Sequence, residues 1–176
     1  KKTFWVVPMF KPTIGWSAKK IVGIIILNPE TGEDKYYDLG DVPAWVDPIF
    51  PREMVNDYLS WYGIYGQGWW NSVWGHRNIL EPETPDIVFG SDDRQYWVTG
   101  LTSTSSNDKS LVGIAYTDAR TGKTVIYHAV GGTDDAVLEL VYNRVSYKKL
   151  HGSSPVIYNI YGVMTSIVPL LGERKS

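Results

Sequence analysis

The residues best suited by type to hold a ligand are aromatic. Tyr58, Trp61, Tyr62, Tyr65, Trp69, Trp70 and Trp74 follow one another in a single stretch. Exposed aromatic faces stack on sugar rings or grip an extended peptide, and the indole N–H of Trp favours half-exposed sites where it finds a partner. Trp61, Tyr65, Trp69, Trp70 and Trp74 are therefore the candidate ligand-binding residues. The competing reading is that these rings cover a sheet and fill the space left by the glycines of Gly63–Gly75.

Reactive groups are harder to assemble. His76, His128 and His151 stand apart in sequence, with no pair at helical or hairpin ligand spacing, so no metal site is expected. His128, on an expected strand, reads as a packed or hydrogen-bonded side chain. The acidic doublets Asp92-Asp93 and Asp134-Asp135 have local explanations, a turn before a strand and the first turn of a helix. Gly15-Trp16-Ser17-Ala18 lacks the second glycine of a nucleophile elbow, and His151-Gly152-Ser153-Ser154 has no acid nearby. Arg144, Lys148 and Lys149 suit a helix C-terminus. Cysteine is absent, and no glycine-rich loop opens a helix to cradle phosphate. No catalytic residue and no cofactor are expected, and the chain reads as a non-enzyme.

The elements that would carry these residues are organised by an internal duplication. With the numbering shifted by ninety, Lys20–Tyr37 lies over Ser110–Tyr127 without a gap. Val22, Gly23, Ile24, Thr31, Gly32 and Tyr37 match Val112, Gly113, Ile114, Thr121, Gly122 and Tyr127. Chance would supply about one such identity. With a two-residue gap, Phe4-Trp5-Val6 aligns with Tyr96-Trp97-Val98.

In each copy a β-branched apolar run predicts a strand. Asn28-Pro29-Glu30-Thr31-Gly32 and Asp118-Ala119-Arg120-Thr121-Gly122 predict tight turns, with glycine supplying a positive φ. Return strands are expected over Asp34–Leu39 and Lys123–Val130. An earlier strand, Phe4–Phe10 or Gln95–Leu101, completes each meander. Pro8 argues for an edge or a bulge. Each meander leads into a helix. The first has Pro51 at its start and a stripe of Met54, Val55, Tyr58, Leu59 and Tyr62. The second has Thr133 as cap, Asp134-Asp135 in the first turn, and a stripe of Ala136, Val137, Leu140, Val141 and Val145. Either each helix covers its own meander, or each leads the strands that follow it; in the second case the helix near Pro51 belongs with Tyr96–Val130.

Strand–Asp/Asn-x-x-Thr-Gly–strand with helices on the sheet resembles the PepSY family of small domains. The residues that carry the resemblance are Tyr96, Val98, Asp118, Thr121 and Gly122, and in the first copy Trp5, Asn28, Thr31 and Gly32. The chain departs from the pattern in lacking a helix before the first copy and in its Asn28-Pro29. The resemblance covers the two meanders. It implies an extracytoplasmic accessory or peptidase-regulating module and assigns no catalytic residue.

The expected fold is α+β: two tandem repeats of antiparallel meander plus helix, with a final C-terminal strand pair over Ser154–Tyr161 and Val163–Leu170. Residues 1–85 form the first repeat with its aromatic-rich insertion. Residues 86–176 form the second repeat with the last strands, and one compact body is expected. Residues 76–93 read as a polar connector and Thr102–Lys109 as a polar loop. The net charge of −2 offers no basic field for nucleic acid. No apolar run approaches the roughly 20 residues of a membrane span.

The chain starts at Lys1 and is expected to be a fragment of a larger surface or membrane-anchored protein. The functional expectation is a non-catalytic extracellular or cell-surface binding or regulatory module, with a protein, a peptide or a cell-wall glycan as partner. The alternatives are a carbohydrate-binding module using Trp69, Trp70 and Trp74, and an enzyme whose site no local motif reveals.

Overall fold

A computed structural model describes residues 2–13, 19–65, 80–103, 110–148 and 150–172. The fold is α+β, and every described strand pairing is antiparallel. β1 (Trp5–Pro12), β2 (Lys19–Leu27) and β3 (Asp34–Asp38) form a three-stranded sheet with β2 in the middle. A loop containing Val42, Val46 and Ile49 leads to α1 (Arg52–Tyr65). β4 (Leu80–Pro82), β5 (Asp86–Phe89), β6 (Gln95–Ser103), β7 (Ser110–Asp118) and β8 (Thr124–Gly132) form the second sheet. Its order is β4-β6-β7-β8, and β5 also pairs with β6. α2 (Asp134–Val145) and a 3-10 turn (Ser146–Lys148) follow. β9 (Leu150–Gly152) pairs with β12 (Leu170–Gly172), and β10 (Val156–Ile160) pairs with β11 (Val163–Ile167).

The two hairpin turns make the same bonds. Gly32 N–H donates to Asn28 O at 2.9 Å, and Gly122 N–H to Asp118 O at 2.8 Å. The side chain of Asn28 accepts from Glu30 N–H (3.0 Å), and that of Asp118 accepts from Arg120 N–H (2.9 Å). Gly32 and Gly122 have φ of 75° and 71°, the left-handed region that a side chain resists.

The registers run alike as well. Trp5 faces Leu27, Val7 faces Ile25 and Met9 faces Gly23; the register then shifts, and Phe10 faces Ile21. Trp97 faces Thr117, Thr99 faces Ala115 and Leu101 faces Gly113; the register then shifts, and Thr102 faces Leu111. Pro8 thus sits in an edge strand beside a bulge, where its missing donor does no harm.

Three packed clusters stack through the molecule. Ile21, Ile24 and Ile26 of the first sheet meet Val42, Val46, Ile49 and Met54. Val55 and Leu59, on the next column of α1, meet Trp97, Leu101, Ala115 and Ala119. On the far face of the second sheet, Val98, Leu111 and Ile114 meet Val88 and Ile157. Phe50 packs against both of the first two clusters. α1 therefore lies between the sheets and covers one face of each. This differs from the expectation of one helix per meander and brings α1 onto the strands that follow it.

Other expectations are corrected. The segment read as a plain connector contains β4 and β5, because Ile87, Val88 and Phe89 complete the pairing of β6. α2 starts where expected, with Thr133 accepting from Ala136 N–H (3.3 Å). Its apolar stripe is not a core stripe, however: no residue of α2 is buried, and Leu140 is 67% exposed. Among the described residues the helix lies beside the short β9 rather than across a sheet, so Leu140 and Tyr142 stay exposed. Of the last strands only Ile157 is buried, while Ile160, Val163 and Ile167 are exposed on a two-stranded ribbon too narrow to shield both faces. Tyr62 is exposed at the outer side of α1. His128 is exposed on the edge strand β8, neither packed nor enclosed.

Candidate functional site

Antiparallel pairing puts residues two apart on one face and opposite partners side by side. On the face of the second sheet turned away from α1, Tyr96 faces Asp118, Val98 faces Tyr116, and Val88 faces Tyr96. Across the next ladder Tyr116 faces Val125, and Ile114 faces Tyr127. Tyr116 and Tyr127 are thus diagonal neighbours. Their rings meet edge to face, 5.8 Å apart at 85°, a favoured aromatic geometry. β10 lies over this face and adds Tyr158 and Asn159.

The result is an open cleft of about 560 Å³ walled by Phe89, Tyr96, Tyr116, Tyr127 and Tyr158. Its rim carries Asp92, Asp118, Lys123 and Asn159. Phe89 is 64% exposed, a large ring left in water at the mouth.

Hydrogen bonds hold the walls. Tyr116 Oη donates to Ile157 O at 3.4 Å, and burial raises its phenol pKa above the usual range. Tyr96 Oη donates to Asp92 Oδ2 at 3.0 Å. That bond raises the Tyr96 pKa. For Asp92, desolvation works upward, but the bonds from Tyr96 and the backbone outweigh it and the carboxyl is lowered. Asp118 is committed elsewhere. Its Oδ2 lies 2.5 Å from Arg94 Nη2, and its Oδ1 accepts from Arg120 and Thr121 N–H. The described lining brings together neither a serine–histidine pair nor two carboxylates free to share a proton. The cleft offers aromatic faces, donors and acceptors, and Lys123 beside two carboxylates that already hold partners.

A second hollow, of about 430 Å³, is acidic: Glu83, Asp86, Asp134 and Asp135 line it with Arg52. Glu83 Oε1 accepts from Asp134 N–H (3.1 Å) at the start of α2, while its Oε2 is buried without a partner. Burial raises the pKa of Glu83, Asp86 and Asp134; for Asp86 the Arg52 guanidinium, 4.0 Å away, opposes the rise. Among the described residues, no three His, Asp or Glu side chains are arranged to hold a metal ion.

Of the sequence-predicted binding residues, Trp61 is half-buried on α1. It tilts against Tyr58 at 6.3 Å beside a hollow of about 240 Å³ that also includes Phe10 and Lys19. Tyr58 Oη donates to Lys19 O, which ties this part of α1 to β2. Trp69, Trp70 and Trp74 lie outside the described residues, as does the side chain of Tyr65. The tyrosine cleft was missed because its walls come from separate strands. The available signal was the same-face recurrence of Tyr96, Tyr116 and Tyr127 on successive strands.

No protein-family model, no curated protein and no solved structure matches this chain. Among the described residues, no helix is long and apolar enough to cross a membrane.

Proposed function

We propose that this chain is a non-catalytic binding or regulatory module acting outside the cytoplasm, built of two PepSY-like units in tandem. The ligand site is the cleft walled by Phe89, Tyr96, Tyr116, Tyr127 and Tyr158. The observation that carries this reading is the cleft itself: five aromatic walls, a rim with Lys123 beside Asp92 and Asp118, and both carboxylates already engaged by Tyr96 and Arg94. Such a surface binds better than it reacts. The tandem organisation is supported by the two turns, which share their backbone bonds and the Asn28/Asp118 side-chain bond two residues on, and by registers that shift at corresponding positions.

A second reading, a carbohydrate-binding module, is favoured by the same walls. Tyrosine faces stack on pyranose rings, and Asp92, Lys123 and Asn159 offer donors and acceptors to hydroxyl groups. In this reading the sugar platform is the tyrosine cleft rather than the tryptophans after α1. Saturation-transfer NMR with a panel of neutral oligosaccharides, muropeptides and extended peptides tests both readings. Transfer to one class, lost in Phe89→Ala and Tyr158→Ala proteins of unchanged melting temperature, is the expected result. Transfer to no class retires the cleft as a ligand site. Turnover of any probe that survives repurification overturns the non-catalytic reading.

A further inference from the structure

Among the described residues, the second sheet carries α1 on one face and the β10–β11 ribbon on the other. Among the described residues, the first sheet is covered on one face only. Its other face presents Trp5, Val7 and Met9 from β1, Ile25 from β2 and Tyr36 from β3. Trp5 is 59% exposed, Tyr36 47% and Val7 45%. This is a contiguous apolar surface of the kind that marks an interaction site.

The molecule contains its own template for what covers such a face. By register Trp5, Val7 and Met9 correspond to Trp97, Thr99 and Leu101. On those residues α1 lies: Val55 and Leu59 pack on Trp97 and Leu101, and the Arg52 guanidinium stacks 5.6 Å from the Trp97 ring. Charge sharpens the comparison. On the open face β3 places Asp34 opposite Leu27 and Asp38 opposite Gly23, where β8 has Thr124 and His128. The open face is thus the counterpart of a helix-binding face, with an acidic border that the covered one lacks.

We propose that this face docks an amphipathic helix carried by a partner protein. That helix presents a basic residue and then aliphatic residues three and seven positions later, as Arg52, Val55 and Leu59 do on α1, with further basic residues toward Asp34 and Asp38. The cation stacks on Trp5, an interaction that gains from partial desolvation. The aliphatic pair covers Val7, Met9 and Ile25. The inference rests on the equivalence of the two sheets and is independent of what fills the tyrosine cleft. Substitutions at Gly32 and Gly122, which lie off this face, test the equivalence separately.

The probe is a fluorescent, helix-stapled peptide of the α1 sequence carrying Glu53→Lys and Asp57→Lys. It is titrated into the full chain and followed by anisotropy. Saturable binding is expected, weakened about tenfold or more by Trp5→Ala and by Val7→Asp, and weakened at high salt and in Asp34→Asn/Asp38→Asn. Melting curves confirm that each variant is folded; Trp5→Ala at an exposed site provides the measurement if Val7→Asp unfolds. Absence of binding at millimolar peptide, or binding indifferent to both face substitutions, overturns the proposal. So does concentration-dependent dimerisation that Trp5→Ala abolishes, which assigns the face to a second copy of this chain.

Discussion

The Arg120 guanidinium, in the second hairpin turn, donates to the carbonyl oxygen of Val46 at 2.6 Å, and reaches those of Val42 (2.6 Å) and Pro43 (3.1 Å) as well. The loop before α1 is thereby bound to the turn of the second sheet. Ile49 and Phe50 N–H groups, both donating to Ala119 O, join the same segments. Glu30, at the corresponding position of the first turn, is exposed. Replacing Arg120 with Met keeps the apolar stem and strands three carbonyls. Hydrogen bonds to charged groups contribute roughly 1.5–3 kcal/mol, so urea unfolding of Arg120→Met is expected to report a loss of that order. Arg120→Lys recovers only part, because an ammonium lacks the planar fork. An unchanged midpoint would show that the loop is held without Arg120.

The same contacts bear on separability. A fragment of residues 1–85 keeps α1 but loses Trp97, Leu101, Ala115 and Ala119, the partners of Val55 and Leu59. It also loses Arg120 from beneath Val42 and Val46. The fragment is expected to aggregate or to melt without a cooperative transition. A soluble fragment with a sharp melting curve would show that the first sheet and α1 fold alone.

The turns were legible in the sequence because their chemistry is local: Asn28 and Asp118 bond backbone two residues on, and each glycine sits where a positive φ is needed. The start of α2 was legible for the same reason, with Thr133 as its cap. The covering of faces was not. Val55 and Leu59 carry no mark that says which sheet they meet, and Leu140 has the spacing of a core residue yet stands in water. The tyrosine cleft was hidden further, since Tyr96, Tyr116 and Tyr127 become neighbours only through strand register, and Tyr158 reaches them from β10. Ile87, Val88 and Phe89 make too short a run to announce β5 between proline and glycine.

The acidic hollow predicts a pH effect. Burial raises the Glu83 pKa above the ordinary carboxylate value, and the carboxylates facing it are Asp134 and Asp135 on α2. Asp86 on β5 and Arg52 on α1 line the same hollow. Between the ordinary and the raised pKa, the folded protein binds more protons at Glu83 than the unfolded chain does. Stability from this group therefore falls as pH rises through that window, and the penalty is complete above it. Glu83→Gln removes the charge and keeps an oxygen for Asp134 N–H. The variant is expected to melt higher than the parent by a few degrees at pH 7, and the gap is expected to close near pH 4. Circular dichroism melts of the pair at both pH values measure this; a gap independent of pH would place the cause outside Glu83 ionisation.

The two turn glycines separate backbone strain from packing. At both positions a side chain in the left-handed region costs roughly 1–2 kcal/mol. Their surroundings differ: a Cβ on Gly32 meets nothing within 4 Å, whereas a Cβ on Gly122 lies 2.5 Å from Cε1 of the Phe50 ring. Gly32→Ala should therefore show the conformational cost alone, and Gly32→Asn less, because Asn tolerates that region. Gly122→Ala should lose distinctly more, and Gly122→Asn should gain little over alanine, since the obstacle is the ring rather than φ. Shortening the ring in Phe50→Leu/Gly122→Ala should bring the cost of the Gly122 substitution, measured against Phe50→Leu, down toward that of Gly32→Ala. The differences come from urea midpoints of six variants and the parent. If the Phe50→Leu background leaves the Gly122 cost unchanged, the turns differ in backbone rather than in what packs on them, and the equivalence of the two hairpins fails.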